Sequence, residues 1–496
     1  MTKFIKNKIA VGLFVMTLLT GLFSCQTDLL DPVPETSFSD LVVFDTPSRI
    51  AQQVNALYDQ VKSGNHLGGR FFVYQDIRAD NFLNETTNGV TGLETWRHTE
   101  VATTNEVNNL WSVAYAAINQ VNLFLEGIDA NTSKYVTPTF PADFASVQVP
   151  LYKAEARFLR ALTYFNLVII YARPYADGNG GQPGLPLRLK GEKSSANNDL
   201  ARSTVAEVYT QILDDLNFAE QNLPLTYSGA TAAYLNVTRA HRNAAIALKT
   251  RVYLNMGQYA NVITEANKIV SANAPFAASS GVPHALQASF TSVFASPYTT
   301  SESIFSMPFT ANDLPGTQNG LGSYYNPGPA GIGDYSLNPA GIYGDLVNWP
   351  ATDSRRTMTS IAATKPYLRK FPTGPQHLDY APVIRYSEVL LNLSEAIART
   401  TAGVDARALA LLNAVRNRAD AVFTWAPADN AALLTAIMTE RNIELLGEGF
   451  RSNDFMRQLQ PIPGKGTVSS IPASAAIYIW PIPITETNAN KLMTGN

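Results

Sequence analysis

Three glutamates near the C-terminus have a spacing that suits acid–base chemistry. Glu440, Glu444 and Glu448 lie four residues apart in "ERNIELLGEGFR", and on a helix this spacing places them along one face. A glycosidase needs two carboxyl groups about 5 to 9 Å apart, one as the acid and the other as nucleophile or base. The segment is also strongly amphipathic, and Arg441 precedes Glu444 by three residues, a distance at which side chains pair on a helix. The pattern therefore favours ion pairing over catalysis.

Two other stretches combine aromatic rings with polar side chains. We call residues 66–100 the first loop stretch and residues 315–353, which are crowded with Gly, Pro and Asn, the second loop stretch. Rings can stack on the C–H face of a sugar, while Asn, Asp and Arg bind its hydroxyl rim. If each stacked ring buries roughly 80 Å², it contributes about 2 kcal/mol. Two or three rings, after association costs, predict dissociation constants of about 1 mM to 1 μM.

The predicted ligand contacts come from both stretches, with Trp96 as a stacking platform. For every ring the alternative interpretation is a side chain that pins its loop to the protein body. Loss of binding in Trp96→Ala without loss of stability is expected of a platform, and a large loss of stability is expected of a core residue. The predicted ligand-binding residues are Tyr74, Asn81, Trp96, Arg97, Asn319, Tyr324, Tyr325 and Trp349.

Other catalytic signatures are absent from the sequence. It contains no HExxH, no GxSxG and no phosphate-binding loop. The five histidines are scattered without metal-ligand spacing, so no metal and no cofactor are predicted. A Ser, His and Asp arrangement assembled by folding stays open, although no pattern favours it. A formal net charge of −3 lacks the basic excess of a nucleic-acid-binding protein.

The only cysteine, Cys25, directly follows a short apolar run. Lys3, Lys6 and Lys8 precede the almost uncharged residues 9–23, which is the plan of a secretory signal peptide. The letters "LFSC" resemble the lipobox of bacterial lipoproteins. We therefore expect removal of residues 1–24 and lipidation of Cys25, and three acyl chains at about 0.8 kcal/mol per buried CH₂ would anchor the protein firmly.

Helices carry most of the apolar residues. In "RYSEVLLNLSEAIA" apolar side chains recur with helical period from Tyr386 to Ile397, while Glu388, Asn392 and Glu395 fall elsewhere. This periodicity predicts a helix with one buried face. The segment "STVAEVYTQILDDLNFAEQNLP" is a second such helix, which begins at a Ser or Thr cap and ends at Pro224.

Helices also occur in pairs. "AAIALKTRVYLNMGQYANVITEANKIVSANAP" places the turn "MGQY" between two helical segments, a spacing that resembles a tetratricopeptide unit. Such units bury little alone and stack on neighbours. "RYSEVLLNLSEAIARTTAGVDARALALLNAVRNRAD" resembles another unit. We predict a mainly α fold in which about four tetratricopeptide-like pairs form a helical body with long irregular insertions that face the ligand.

Six segments occur in an order that resembles the SusD/RagB family of Bacteroidota outer-membrane lipoproteins. They are "EARFLRALTYFNLVIIYARPY", "SESIFSMPF", "APVIRYSEVLLNLSEA", "LNAVRNRA", "ERNIELLGEGFRSNDFMR" and "IYIWPIPITETNAN". The resemblance covers nearly the whole mature chain. It implies attachment to the outer leaflet of the outer membrane and a partner, a TonB-dependent SusC-like barrel that the lipoprotein covers as a hinged lid.

The resemblance leaves three functions open. The first is capture of a glycan and its delivery to the barrel; the second is the same lid serving peptides, as in RagB-like members; the third is a surface hydrolase. The predicted regions are a lipoprotein signal peptide (1–24), a SusD-like N-terminal region (25–230) and a RagB/SusD-like C-terminal region (231–496). The last contains an irregular insertion at 276–380.

Overall fold

The computed structural model of the protein describes residues 42–496. The predicted signal peptide and the predicted lipidation site, Cys25, lie outside the described residues. Residues 51–496 form one compact unit. Residues 42–50, the described part of a second unit, comprise a turn and the start of a helix.

Helices form the framework of the described chain, in agreement with the predicted mainly α fold. The α-helices are α1 (Pro47–Val61), α2 (Arg70–Ile77), α3 (Leu93–Arg97), α4 (Asn105–Ala130), α5 (Val149–Tyr171), α6 (Val205–Asn222), α7 (Ala232–Thr238), α8 (Arg242–Asn255), α9 (Tyr259–Ala266), α10 (Phe290–Val293), α11 (Leu321–Tyr325), α12 (Tyr386–Thr400), α13 (Ala406–Ala419), α14 (Asn430–Glu444), α15 (Arg451–Met456) and α16 (Ile484–Ala489).

Short antiparallel strand pairs connect distant parts of the chain. The strands are β1 (Phe82–Asn84), β2 (Ser303–Met307), β3 (Tyr335–Leu337), β4 (Thr359–Ala362), β5 (Lys365–Leu368) and β6 (Ala381–Arg385). They pair as β1 with β3, β2 with β6 and β4 with β5. Only the last pair is local, so the other two fix long loops to distant segments.

The long helices pack as neighbours in chain order. Helix α5 packs on α6, α8 on α9 and α12 on α13, and further contacts join α6 to α8, α9 to α12 and α12 to α14. The two helix pairs that the sequence predicts most directly, α8 with α9 and α12 with α13, are confirmed. Each pair buries its apolar face against the next, which is how such units gain stability.

Local sequence signals set the helix ends. Helix α6 begins after Thr204, whose Oγ1 accepts a hydrogen bond from the backbone N–H of Glu207 at 3.2 Å while Glu207 Oε2 accepts from the backbone N–H of Thr204 at 2.7 Å. This capping box satisfies two N–H groups that would otherwise lack partners. Between α8 and α9, Gly257 has φ +68°, a conformation that glycine adopts at little cost.

Helix α12 is buried on all sides rather than on one face. Every residue from Tyr386 to Ala398 is buried, so the predicted polar face is not solvated. Its polar side chains are paired instead, since Glu388 accepts from Arg251 at 2.6 Å and Glu395 from Arg457 at 2.6 Å. Burial alone would raise the pKa of Glu395, but the charges and hydrogen bonds of arginines outweigh it and lower the pKa to about 2.

An ion network lies where α14 meets the irregular segments before α12. It joins carboxylates and cations whose side chains are at most 5% exposed, with N···O distances of 2.6–3.1 Å. The carboxylates are Glu302, Asp353, Glu440, Glu444 and Glu448, and the cations are Arg355, Lys370, Arg385, Arg416 and Arg418. Opposite charges are equal in number, so burial leaves no uncompensated charge.

The predicted pairing of Arg441 with Glu444 is wrong. Arg441 Nε contacts Asp454 at 2.8 Å and its Nη1 donates to Asn392 at 2.7 Å. Glu444 is bound instead by arginines that come from other segments, including Arg385 at 2.9 Å. Spacing along one helix could not reveal these partners, because they approach from outside the helix.

In the part of the chain that the structure describes, helices long and apolar enough to cross a membrane are not found.

Candidate functional site

The two loop stretches meet in the structure. Strand β1 of the first stretch pairs with β3 of the second, with Phe82 opposite Leu337 and Asn84 opposite Tyr335. The pairing continues beyond the strands, where the N–H of Asn338 donates to the carbonyl of Asn81 at 2.7 Å. The two aromatic-rich segments, more than 200 residues apart in sequence, therefore form one surface region.

The aromatic side chains predicted to bind ligand are buried, so their prediction as exposed stacking platforms is wrong. Relative exposures are 1% for Tyr74, 8% for Trp96, 0% for Tyr324, 0% for Tyr325 and 1% for Trp349. A sugar can stack only on a ring whose face is accessible, and none of these rings offers one. The alternative interpretation, that each ring anchors its loop, describes them correctly.

Contacts within the protein explain this burial. Tyr325 stacks on Phe82 with ring centroids 4.9 Å apart. The Trp96 indole Nε1 donates to the Phe82 carbonyl at 2.9 Å, and Lys465 Nζ lies 5.8 Å from the Trp96 ring centroid. Tyr74 packs against Trp480 at 5.2 Å. The rings thus fill the space between the loop stretches and the C-terminal segment.

The three predicted polar ligand residues differ in accessibility. Asn81 is buried, and its Nδ2 donates to Asn442 Oδ1 at 2.6 Å, so its side chain is not accessible to a ligand in this structure. Arg97 is exposed and Asn319 is half-buried. Asn319 Nδ2 donates to the carbonyl of Pro315 at 2.9 Å, while its Oδ1 lacks a partner.

Beside the β1–β3 pair, the structure places buried polar groups. The Nδ2 of Asn84 is buried without a hydrogen-bonding partner, and the carboxylate of Asp334 is buried with the side chain of Thr91 beside it. Burial raises the pKa of Asp334 to about 6, because desolvation penalises the charged form. No sequence pattern indicates this carboxylate, since it lies among glycines in an irregular segment.

A cleft of about 600 Å³ lies where both loop stretches approach helices α14 and α15. Its lining includes Asp80 from the first stretch, residues 340–342 and Asp345 from the second, and side chains of α14 and α15. We call it the α14–α15 cleft. Sites of about 300 to 1,000 Å³ are typical for small ligands, so this cleft is large enough to hold one.

The cleft has an apolar floor and a polar rim. Leu434, Met438 and Phe455 are half-buried and line it, and the guanidinium of Arg451 lies 4.3 Å from the Phe455 ring centroid. Amide and hydroxyl side chains also line the cleft, and we call them its polar rim. They are Thr435, Thr439, Asn442, Gln458 and Gln460.

Most charged groups that line the cleft are already paired. Asp80 binds Arg451 through two hydrogen bonds of 2.8 and 2.9 Å. Burial alone would raise the pKa of Asp80, but the hydrogen bonds and charge of Arg451 outweigh it and the pKa is lowered. Asp454 is bound by Arg441 and by Arg457. These side chains present hydrogen-bonding capacity with little net charge.

The glutamates with glycosidase-like spacing belong to the ion network. Glu440, Glu444 and Glu448 are each at most 2% exposed and each is bound by arginine or lysine. Burial alone would raise the pKa of Glu444, but Arg418, Arg385 and Arg355 lower it well below its ordinary value. A general acid needs a proton near neutral pH and access to substrate. None of the three glutamates is accessible, and the depressed pKa of Glu444 keeps that carboxylate ionised. Within residues 42–496, groups of three or more potential metal ligands were not found.

Comparisons with known proteins match this architecture. Residues 28–254 match the family described as starch-binding and associating with the outer membrane, and residues 343–496 match the SusD family. A SusD superfamily protein from Bacteroides fragilis has a TM-score of 0.78 and 30% sequence identity, over 91% of this chain and 100% of that chain. The chain belongs to the SusD/RagB family.

Other SusD relatives are more distant. A SusD-like protein of Formosa agariphila is 25% identical over 274 residues, which are 55% of this chain and 47% of the relative; the chain thus spans about half the length of that curated relative. A solved structure described as a laminarin-binding SusD-like protein shares the fold with a TM-score of 0.69 at 22% identity, over 91% of this chain and 99% of that one.

In this SusD-family chain, sequence reasoning missed the residues of the α14–α15 cleft. The periodicity of α14 indicated a buried helix face and drew attention to its glutamates. A signal was nevertheless present, because Thr435, Thr439 and Asn442 follow i, i+4, i+7 spacing and form a polar stripe. Leu434 and Met438 lie beside that stripe, where apolar residues are unusual for a solvated face.

Proposed function

We propose that this SusD-family protein captures a glycan at the cell surface and delivers it to a SusC-like TonB-dependent barrel. The observation that carries the proposal is the match of residues 28–254 to a family described as starch-binding and associating with the outer membrane. The laminarin-binding neighbour has the same fold, which is consistent with a carbohydrate ligand. Binding occurs without turnover, since the glutamates with catalytic spacing are buried in ion pairs.

The ligand contacts that the two loop stretches make come from polar side chains. Arg97 and Asn319 are the two predicted contacts whose side chains are at least partly accessible. The buried rings act indirectly, because they hold the two loop stretches together through the β1–β3 pair. Each neutral hydrogen bond contributes about 0.5 to 1.5 kcal/mol net, so the proposed site binds weakly and can release its cargo.

Native affinity electrophoresis tests glycan binding. Protein beginning at Gln26 is run through gels that contain starch, laminarin, xylan, mannan or pectate, beside a non-binding protein of similar size. We expect selective retardation by at least one neutral polysaccharide and weaker retardation of Arg97→Ala. Absence of retardation in every gel, together with binding of oligopeptides in solution, would replace the glycan by a peptide ligand.

Membrane attachment and the partner are tested with the full-length chain. Cys25→Ser is expected to move the protein from the outer-membrane fraction to the soluble fraction, because the proposed anchor is the lipid on Cys25. Ser24→Ala, which keeps a small residue before the cysteine, is the matched control and stays in the membrane. Co-purification of a TonB-dependent barrel with the wild type supports delivery; retention of Cys25→Ser in the membrane would refute lipid anchoring.

A further inference from the structure

We infer that the α14–α15 cleft is a binding subsite for a short uncharged oligosaccharide. The ligand class rests on the proposed function. The location is new, because none of the predicted ligand residues lines this cleft. The cleft is lined by helices α14 and α15, by residues 340–342 and by Asp345, and Arg97 and Asn319 do not line it.

The size of the cleft sets the length of the ligand. A volume of about 600 Å³ falls in the middle of the range for small-ligand sites, and accommodates on the order of two or three sugar rings. The floor of Leu434, Met438 and Phe455 is apolar and partly accessible. It can cover the C–H faces of those rings and remove them from water.

The charges around the cleft disfavour an anionic ligand. Asp80 is neutralised by Arg451 and Asp454 by Arg441 and Arg457. Arg399 is held by Glu395 at 2.8 Å, and its guanidinium also donates to Gln458. An anionic ligand would have to break one of these pairs, whereas a neutral one would not. The carboxylate of Asp345, which also lines the cleft, accepts hydrogen bonds from Asn348 and adds a negative charge that opposes an anion.

Hydrogen bonds fix the polar rim in place. Asn442 Oδ1 accepts from Asn81, which leaves Nδ2 of Asn442 as a donor. Gln458 Nε2 donates to the carbonyl of Asp454 at 2.9 Å, so this carboxamide is held in one orientation. Pre-oriented amides lower the entropy cost of binding, and the Nδ2 group of Asn442 can donate to a sugar hydroxyl.

The secondary structure of the residues that line the cleft favours a sugar ligand over a peptide. A peptide that binds by strand addition needs an open sheet edge, and the residues that line the cleft come from helices, from a turn and from the segment after α15. The backbone groups of α14 and α15 are used within their helices, so recognition falls to side-chain amides and hydroxyls.

A tryptophan placed in the cleft blocks it with little effect on the core. Thr435 is exposed, lines the cleft, and its Oγ1 donates to the carbonyl of Ala431 four residues earlier at 2.9 Å. Thr264 on α9 is also exposed and makes the same bond to Ala260 at 3.0 Å, but it does not line the cleft. Thr435→Trp is therefore the test variant and Thr264→Trp its matched control.

Isothermal titration with maltohexaose, cellohexaose, laminarihexaose, hexagalacturonate and tetra-alanine tests the inference. We expect one neutral hexaose to bind the wild type and Thr264→Trp equally, and Thr435→Trp at least tenfold more weakly. Gln460→Ala, a smaller change on the rim, is expected to weaken the same ligand by a few fold. Circular dichroism melting confirms that each variant folds.

The outcomes separate this inference from the proposed function. A neutral hexaose that binds Thr435→Trp as tightly as the wild type would overturn the cleft as its site, while glycan capture would stand. Stronger binding of hexagalacturonate or tetra-alanine than of any neutral hexaose would overturn the ligand class. If the wild type binds none of the hexaoses and is not retarded by any polysaccharide gel, both the proposed function and this inference are refuted.

Discussion

Replacing Glu444 by glutamine tests whether the helix α14 glutamates are structural. The carboxylate of Glu444 accepts hydrogen bonds from Nη2 of Arg418 at 2.6 Å, from Nη1 of Arg385 at 2.9 Å and from Nη1 of Arg355 at 3.0 Å. Glutamine has nearly the same shape but no charge, and its NH₂ group is a donor that must face one of these donors. The ion network would then keep its cations and lose one anion.

The expected loss of stability is large. Removing one partner of a buried ion pair costs about 3 to 5 kcal/mol, because the remaining charge is buried without compensation. With an unfolding entropy of about 2.1 cal/mol/K per residue, 4 kcal/mol lowers the Tm of a chain of this length by about 4 °C. Asp214→Asn is the matched control: Asp214 is 66% exposed and pairs with Arg157, so its loss costs less than about 1 kcal/mol.

Urea unfolding followed by circular dichroism measures both variants. At pH 7 the free energy of unfolding should fall by several kcal/mol for Glu444→Gln and little for Asp214→Asn. The double variant Glu444→Gln, Arg418→Gln removes one charge of each sign, so it should lose less stability than the sum of the single variants. Since the folded pKa of Glu444 is depressed, its contribution is present above about pH 4.5 and is lost as pH falls further.

Two results would refute this reasoning. The first is a loss below about 1 kcal/mol for Glu444→Gln at pH 7, which would mean that the carboxylate does not compensate the arginines. The second is a difference between wild type and variant that stays constant as the pH falls from 7 to 3.

Two further predictions concern the region around Trp96. Trp96→Ala should lower the free energy of unfolding by about 3 to 5 kcal/mol, because the buried indole and its hydrogen bond to Phe82 are lost. The adjacent Arg97→Ala, at an exposed position, should change the free energy of unfolding by less than about 0.5 kcal/mol. Equal melting temperatures for the two variants would contradict the burial of Trp96. Desolvation raises the pKa of Glu106 in the folded protein to about 7. The stabilisation that protonated Glu106 contributes is therefore full below about pH 4.5 and is lost as the pH rises to 7. The free energy of unfolding of Glu106→Gln should rise by about 2 to 3 kcal/mol relative to wild type between pH 4 and pH 8, and a pH-independent difference in urea titrations would show that Glu106 titrates normally.

The helical framework could be predicted from the sequence because it depends on local signals. The Thr204 cap, the turn at Gly257 and the apolar periodicity of α12 are each contained within a few residues. Such signals do not report how many neighbours a helix has. Glu388 and Glu395 looked solvated in α12, but Arg251 and Arg457 cover them from other helices.

The candidate site could be predicted only in part. Composition identified the two loop stretches, which the structure brings together through β1 and β3. Composition could not tell which rings are accessible, since a tyrosine in a glycine-rich loop can face solvent or the interior with the same local sequence. Burial of Tyr325 depends on Phe82 and that of Tyr74 on Trp480, partners that lie about 240 and 400 residues away in the chain.

The burial of these rings limits the ways in which the two loop stretches could bind the proposed glycan. Stacked rings would have contributed about 2 kcal/mol each, and without them affinity depends on hydrogen bonds worth about 1 kcal/mol each against competition from water. Such bonds yield useful affinity only if their donors and acceptors are held in place before binding. The aromatic packing of Tyr325 on Phe82 provides this order, because it fixes two long glycine-rich segments that would otherwise lose conformational entropy when a ligand binds. If the loop stretches bind the proposed glycan, the aromatic residues contribute by making the loops rigid, and substitutions that loosen them should weaken binding although the rings are buried.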